Sequence, residues 1–368
     1  MENGTPRKER NWKRLLVITV AISFALTLSA VIAAAAYWNS LLNRIQDARE
    51  TVSAAVTEET EPEITQPEPS EDTVPPETSP EETWPEVHSG ENITNIMLVG
   101  HNYREGERHR LSDTMILCSI NRETRTLSLV SVLRDLYVPL PAYAGHGPGR
   151  NRINVCYHMG SHWTGTPEGG MEMLALCLEQ NFGIPVDHTI EINFDAFTQI
   201  IDSLGGVEVD LTEAEARYLT RKVDYVGTFE PGPQTLNGTE ALAYARIRKI
   251  DSDHQRTARQ RAIIESLLKK WKGLGLLELH KLATSVLPLI TTDMTNQEIT
   301  NYVWEFLPML KDLTIQSITC PVDNGTLPGS QWGEMVDIAG TPSSVIRCNI
   351  ARNRAYFQSY LGLQKEDE

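Results

Sequence analysis

MILCSINRETRTLSLVSV, residues 115–132, decides the fold. Two apolar runs, 115–120 and 126–132, flank the polar stretch 121–125, an order that reads as a β-hairpin closed by a polar turn. TNIMLVG at 94–100 is equally apolar and of strand length, and it reads as a buried strand. Further along, residues 171–181 read as a helix, HTIEIN at 188–193 as a strand, and 194–204 as a helix stopped at Gly205-Gly206 before a strand at 207–211. Helices are expected around 256–271, 277–287 and 296–310, strands near 313–319 and 344–349, and a closing helix over 352–361. Strands and helices mixed in this way favour a central sheet covered by helices on both faces. The span 92–368 shows no internal repeat and no second linker, so it reads as one large α/β domain.

The N-terminal quarter is organised differently. Residues 15–37 carry no charged side chain, and about 20 apolar residues suffice for a helix to cross a bilayer core, so 15–38 is expected to be a transmembrane helix. The basic tail 1–14 holds Arg7, Lys8, Arg10, Lys13 and Arg14, which keeps it in the cytoplasm and exports all that follows. A cleaved signal peptide is the alternative, with small residues at 33–36 for a peptidase. From 51 to 91 there are twelve Asp or Glu, seven Pro and no Lys or Arg, and of the formal charge of -16, -12 lies in that stretch. Such a composition buries too little apolar surface to offset the entropy of ordering. Residues 39–91 are therefore expected to be a disordered acidic stalk, extended by like charge and proline, that holds the domain away from the membrane surface.

Within the domain, ALAYARIRKIDSDHQRTARQ at 241–260 gathers Arg246, Arg248, Arg256 and Arg259 beside Gln260. Arg256, Gln260, Ile263 and Leu267 follow at helical spacing, so the arginine and glutamine continue an inward apolar face. An arginine in a first helical turn opposes the helix dipole unless an anion shares the N-terminus. Two readings stand side by side: Arg256 and Arg259 form a local salt-bridge cluster with Asp251 and Asp253, or they hold an anionic ligand. Arg246 and Arg248 alternate as in an extended segment and share one face, adding a second row of cations. Guanidinium groups suit a diphosphate because each can donate two parallel hydrogen bonds.

Together SDTM (112–115), LRDLYV (133–138), NRINVCY (151–157), FDAFTQIIDSLGGVEVDL (194–211), LNGTEALAYARIR and QRTARQ resemble the LytR-CpsA-Psr family of membrane-anchored cell-wall phosphotransferases. The likeness begins at NIMLVGHNYR (95–104) and runs in order to Ile264. It implies a three-layer α/β/α sandwich around a mixed central sheet, with an apolar pocket for a polyprenyl chain. It also implies transfer of a glycopolymer of teichoic acid or capsular type from an undecaprenyl diphosphate carrier to peptidoglycan, with Mg²⁺ at the diphosphate. No nucleic-acid partner is expected. The catalytic residues implied are Asp113, Arg134, Arg246, Arg248, Arg256 and Gln260. Arg110, Arg152 and Arg259 join the arginines and Gln260 as diphosphate ligands, and Asp113 with Asn102 is the metal pair.

The chain departs from the family pattern at two places. Asn102 stands where the family has an aspartate, which weakens the metal site because an amide oxygen is a neutral ligand for a hard cation. Leu111 stands where an arginine precedes the serine of SDTM, with Arg110 next to it. Arg152 keeps a charge where the family often has lysine. The base that takes the acceptor proton is not evident, with Asp135 a candidate, and Arg134-Asp135 reads equally as a strand-end ion bridge. No Ser-His-Asp signature, HExxH, CxxC or GxxxxGK pattern is present, and His101, His188 and His254 read as structural. Cys118, Cys156 and Cys177 read as small buried hydrophobes, and pairing of Cys320 with Cys348 is left open. A lipid-diphosphate hydrolase and a non-catalytic tethered binder remain as alternatives to the transferase.

Overall fold

The computed structural model describes residues 37–40, 43, 87–101, 111–222, 228–275, 278, 285–322, 331–338 and 340–365. The basic tail, nearly all of the expected membrane span, most of the stalk, Asn102 and Arg110 lie outside the described residues. Among the described residues no helix is long and apolar enough to cross a membrane.

Six strands form the central sheet: β1 (Ile93–His101), β2 (Ser112–Asn121), β3 (Thr126–Val132), β4 (His188–Asn193), β5 (Thr291–Thr292) and β6 (Thr314–Cys320). Their order is β5-β4-β1-β2-β3-β6. β2 and β3 make the hairpin read from the sequence, with Asn121 opposite Thr126, and the Asn121 side chain accepts from the Thr124 amide at 3.0 Å to close the turn. β1 runs antiparallel to β2 but parallel to β4, and β6 runs parallel to β3, so the sheet is mixed as expected.

Both faces of the sheet are apolar, which explains why these strands read as continuous hydrophobic runs rather than alternating ones. Met97, Val99, Met115, Leu117, Val130 and Val132 point to one side, against the helices Cys156–Thr164, Pro167–Phe182 and Ile350–Leu361. Their neighbours Leu98, Ile116, Cys118, Leu127 and Leu129 point to the other, against Ile264, Leu268 and Trp271 of the helix Asp253–Lys272. A third cluster extends that second layer, where Ile263 meets Ile201, Val207, Leu236, Ala241 and Tyr244. Helices therefore cover both faces, and the layered α/β arrangement stands.

Several boundaries differ from the sequence reading for identifiable reasons. The helix expected over 296–310 is α-helical only for Asn296–Phe306 and tightens to a 3-10 turn at Leu307–Asp312, where Pro308 lacks the donor to continue. The helix expected over 277–287 falls mostly outside the described residues, and its end becomes the short 3-10 turn Leu287–Leu289. The strand expected at 344–349 runs instead as Thr341–Arg347, paired with Gln331–Ile338 across a register shift beside Gly333, whose φ of 71° favours glycine. The ribbon Tyr137–Leu140 with Gly149–Arg152 carries Pro139 on a two-stranded edge, where a missing donor is tolerated. All five cysteines are free thiols, Cys320 and Cys348 included.

Candidate functional site

β2 and β3 are antiparallel neighbours, so the first residues of β2 lie beside the chain leaving β3. That register brings Asp113 to Arg134, whose Nη1 donates to Asp113 Oδ1 at 2.9 Å. Arg248 Nη2 donates to the same oxygen at 3.1 Å, although 135 residues separate the two in sequence. Asp135 lies 3.3 Å from Arg134 Nε and 3.5 Å from Arg152 Nη1. A continuous run of charge therefore links Arg248, Asp113, Arg134, Asp135 and Arg152. The strand-end bridge between Arg134 and Asp135 exists, but as one part of this run.

The arginine helix Asp253–Lys272 opens on Ser252, whose hydroxyl accepts from the Gln255 amide, and its first turn carries Asp253. Arg256 is 2% exposed and donates to Asp253 Oδ2 at 2.9 Å, while its Nε and Nη1 are buried without a hydrogen-bond partner. Burial pushes this guanidinium down to about 10, and the nearby positive charges of Arg248 and Arg134 push the same way against Asp253 and Asp113. An unmet buried donor costs about 1–3 kcal/mol, a cost that an acceptor placed here would offset. Gln260 continues the same face, with its amide nitrogen 3.5 Å from Ala245 O and its buried Oε1 without a partner.

Arg246 ends the helix Gly238–Ala245, where a cation complements the dipole, and its guanidinium lies 4.7 Å from the Phe194 ring centroid. Ile247 is fully buried between exposed Arg246 and Arg248, so the two cations do share an outward face. Arg259 behaves differently. Its guanidinium bonds Glu215, Asp251 and the Ile247 carbonyl in a closed pocket where it is 4% exposed. Burial alone would lower its pKa, yet the hydrogen bonds it donates to Asp251 and Glu215 hold it above its ordinary value. The salt-bridge reading therefore describes Arg259, which is turned to the fold rather than to a diphosphate. Of the remaining named residues, Asp113, Arg134, Arg152, Arg248 and Arg256 converge, with Gln260 and Arg246 adjoining through residues 245–246.

The sequence reading missed three residues beside this cluster. Tyr137 pairs with Arg152 and Pro139 with Arg150 across the short ribbon, which sets Tyr137, Arg150 and Arg152 on one face. The guanidinium groups of Arg150 and Arg347 lie 5.7 and 5.3 Å from the Tyr137 ring centroid. Arg347 comes from the C-terminal hairpin, which is tied to the site by the Ile346 amide donating to Asp135 O at 2.8 Å. The i, i+2 alternation of Arg150 and Arg152 was the available signal, but nothing local pairs Arg347 with Tyr137. Next to the site, the buried Tyr157 hydroxyl donates to Glu191, and His101 lies 4.1 Å from the Tyr157 ring.

Among the described residues no group of three or more His, Cys, Asp or Glu is placed to hold a metal. Asp113, Asp135 and Asp253 each meet arginines of the cluster but do not gather into one ligand set, and Mg²⁺ is commonly held by one or two carboxylates together with substrate phosphates. The donor set thus fits an ion shared with a bound diphosphate, and does not form an all-protein cage.

The model of the LytR_cpsA_psr family matches residues 50–338. A Bacillus licheniformis protein named polyisoprenyl-teichoic acid–peptidoglycan teichoic acid transferase TagU is 34% identical over 180 residues, covering 48% of this chain and 51% of that one. TagT of Bacillus subtilis, with the corresponding name, is 32% identical over 196 residues, 52% of this chain and 56% of its own. The chain thus spans about half the length of the curated relatives it matches. Among solved structures, TagT bound to LIIa-WTA superposes with a TM-score of 0.55 at 24% identity, over 77% of this chain and 95% of that one. A Streptococcus agalactiae protein, gbs0355, gives 0.58 at 22% identity over 75% and 90%, and these likenesses show a shared fold. By a family match that spans most of its length, the chain belongs to the LytR-CpsA-Psr family.

Proposed function

We propose that this protein transfers a glycopolymer from a polyprenyl diphosphate carrier to peptidoglycan, as the names of its teichoic acid transferase relatives suggest. The single observation that carries the reading is Arg256, buried with two unmet donors among Arg134, Arg248 and Asp113. The bridge to Asp253 engages one of the three Arg256 guanidinium nitrogens and leaves the other two for an external acceptor. A diphosphate supplies the acceptors that Arg256 lacks and the charge that offsets its burial. The solved relative with bound octaprenyl pyrophosphate, at a TM-score of 0.52, shows that this fold accommodates such a ligand in that protein.

In this reading Arg134, Arg248 and Arg256 hold the diphosphate oxygens, with Arg246, Arg152 and Gln260 at its margins. Phosphoryl transfer leaves a protein mainly positioning and charge neutralisation, because charge spreads over the phosphoryl oxygens in a loose transition state. An acceptor sugar hydroxyl attacks the phosphorus that carries the glycopolymer and loses its proton to solvent, while the bridging P–O bond of the diphosphate breaks and polyprenyl monophosphate leaves. Asp113 would hold Mg²⁺ against the diphosphate, where the ion would neutralise negative charge. Asp135 lies 3.3 Å from Arg134 and 3.5 Å from Arg152, so both guanidinium groups compete with an acceptor hydroxyl for its oxygens. The polyprenyl chain would enter the apolar sandwich, and the segment 15–38 would anchor the enzyme as a single-pass membrane protein with its domain outside the cytoplasm.

The test uses the full chain in vesicles with a polyprenyl-diphosphate-linked teichoic acid and peptidoglycan fragments. Joined polymer and peptidoglycan with one polyprenyl phosphate released per joint is the expected result. Release without joining identifies a hydrolase, and binding without release a tethered binder; either outcome replaces the transferase.

A further inference from the structure

The helix Asn296–Phe306 presents two faces. Ile299 is buried and Tyr302 packs with Met294, Ile190 and Leu287, while the Tyr302 hydroxyl meets His188 Nε2 at 3.0 Å. That face belongs to the domain. Asn296, Thr300 and Trp304 follow at steps of four along the other face. Thr300 Oγ1 accepts a 2.8 Å hydrogen bond from Trp38 Nε1, and Asn296 Nδ2 donates to Asn43 Oδ1 at 3.4 Å. Trp38 is half-buried, packed on the Met294 and Ile299 cluster. Trp304, next in the row, is 73% exposed with Val303 beside it at 37%.

The two contacts fix a register. Residues 37–40 and 43 are helical, and moving from Asn43 back to Trp38 matches moving from Asn296 on to Thr300, so the segments run in opposite directions. A further step of four residues, about 6 Å at helical rise, carries the row past Trp38 to Trp304, on the side from which the chain arrives at residue 37. Residue 37 closes the uncharged run 15–37. An exposed tryptophan costs apolar hydration in water, whereas tryptophan is enriched where a membrane meets water.

We propose that the helix Asn296–Phe306 is the domain's membrane-docking surface: Trp38 clamps it to the chain emerging from the bilayer, and Trp304 with Val303 sits in the lipid headgroup region. This rests on residues 15–37 spanning the membrane. It reverses the expectation of a stalk that holds the domain away. Residue 43 contacts Asn296, and Val87–His88 pairs with Gln364–Lys365, so both ends of the acidic linker attach to the same domain and its length sets no height. The surface also leaves the arginine site open. Its helix touches His188 at the start of β4 and Arg122 in the β2–β3 turn, whereas Asp113 and Arg134 lie at the other end of β2, about 30 Å away along a ten-residue strand.

The test reconstitutes the full chain in vesicles that contain lipids brominated near the headgroup, with Trp304→Phe and Trp38→Ala as variants. Carbonate extraction first establishes that each protein stays in the membrane; extraction of the wild type would remove the span and this proposal together. In a retained wild type, a quenched part of the tryptophan emission should be absent from Trp304→Phe. The same Trp304 component should lose its quenching in Trp38→Ala, and hydrogen exchange in residues 296–306 should speed up there. Polyprenyl diphosphate binding should stay unchanged in Trp304→Phe. A membrane-retained wild type whose emission quenches no more than that of Trp304→Phe would overturn the docking while leaving the anchored transferase intact. Quenching of Trp304 that survives Trp38→Ala with unchanged exchange would overturn the clamp.

Discussion

Replacing Arg256 by methionine separates a cation kept for folding from one kept for a ligand. Burial and neighbouring positive charge push the Arg256 pKa down to about 10 in a side chain that is 2% exposed. That depression corresponds to about 3 kcal/mol of cost for holding the charge in the ligand-free fold. Methionine keeps the apolar stem, removes the charge and removes two unmet donors. Against this, Asp253 loses its partner, and because the Asp253 side chain keeps 19% exposure, that loss is about 1 kcal/mol. The balance is a gain of about 1–2 kcal/mol, which for a domain of this size raises Tm by about 2–6 °C. Affinity for a polyprenyl diphosphate should move the opposite way, by about 1.5–3 kcal/mol or roughly 10- to 150-fold, because one charge-assisted hydrogen-bonding group is lost. Thermal melts of the ligand-free protein and titration with a short-chain polyprenyl diphosphate measure both numbers. The sign on pH follows from the same cause: a base whose folded pKa is depressed makes the folded state bind its proton less tightly, so its penalty shrinks as pH rises above about 10. A fall in Tm with unchanged ligand affinity per folded molecule would refute the reasoning and return Arg256 to an internal salt bridge with Asp253.

Arg259→Gln should do the reverse of Arg256→Met, because it strands Glu215, which is 6% exposed, as an uncompensated buried carboxylate. A loss of about 3–5 kcal/mol is expected in chemical denaturation, with ligand affinity per folded molecule unchanged. His188 is lowered by burial but raised overall by its hydrogen bond and proximity to Asp293, so its stabilising contribution is complete below its unfolded value near 6.5 and is lost as pH rises through the higher folded value. Urea midpoints measured across that window should fall with pH in the native protein and flatten in His188→Gln. Asn102→Asp should tighten Mg²⁺ binding in the presence of polyprenyl diphosphate by adding a charged oxygen ligand, an effect that calorimetric titration resolves. Unchanged or weaker Mg²⁺ affinity would place Asn102 away from the ion.

The sequence determined the sheet because its information is local. Runs such as 94–100 and 126–132 are apolar on both alternating faces, and only a strand sandwiched between helical layers buries both. It also determined which side of the arginine helix turns inward, since the spacing of Arg256 and Gln260 with Ile263 sets that face whatever the partners. Sequence alone left Arg256 and Arg259 equivalent. They lie three residues apart, both just after Asp251 and Asp253, and the difference between them is whether Glu215, from a distant helix start, reaches one and not the other. The pairing of Asp113 with Arg248, the stacking of Arg347 on Tyr137 and the clasp of Trp38 on Thr300 are likewise set by tertiary structure. Each joins segments more than 130 residues apart, where chain connectivity imposes no spacing and only the packing of layers decides which side chains meet.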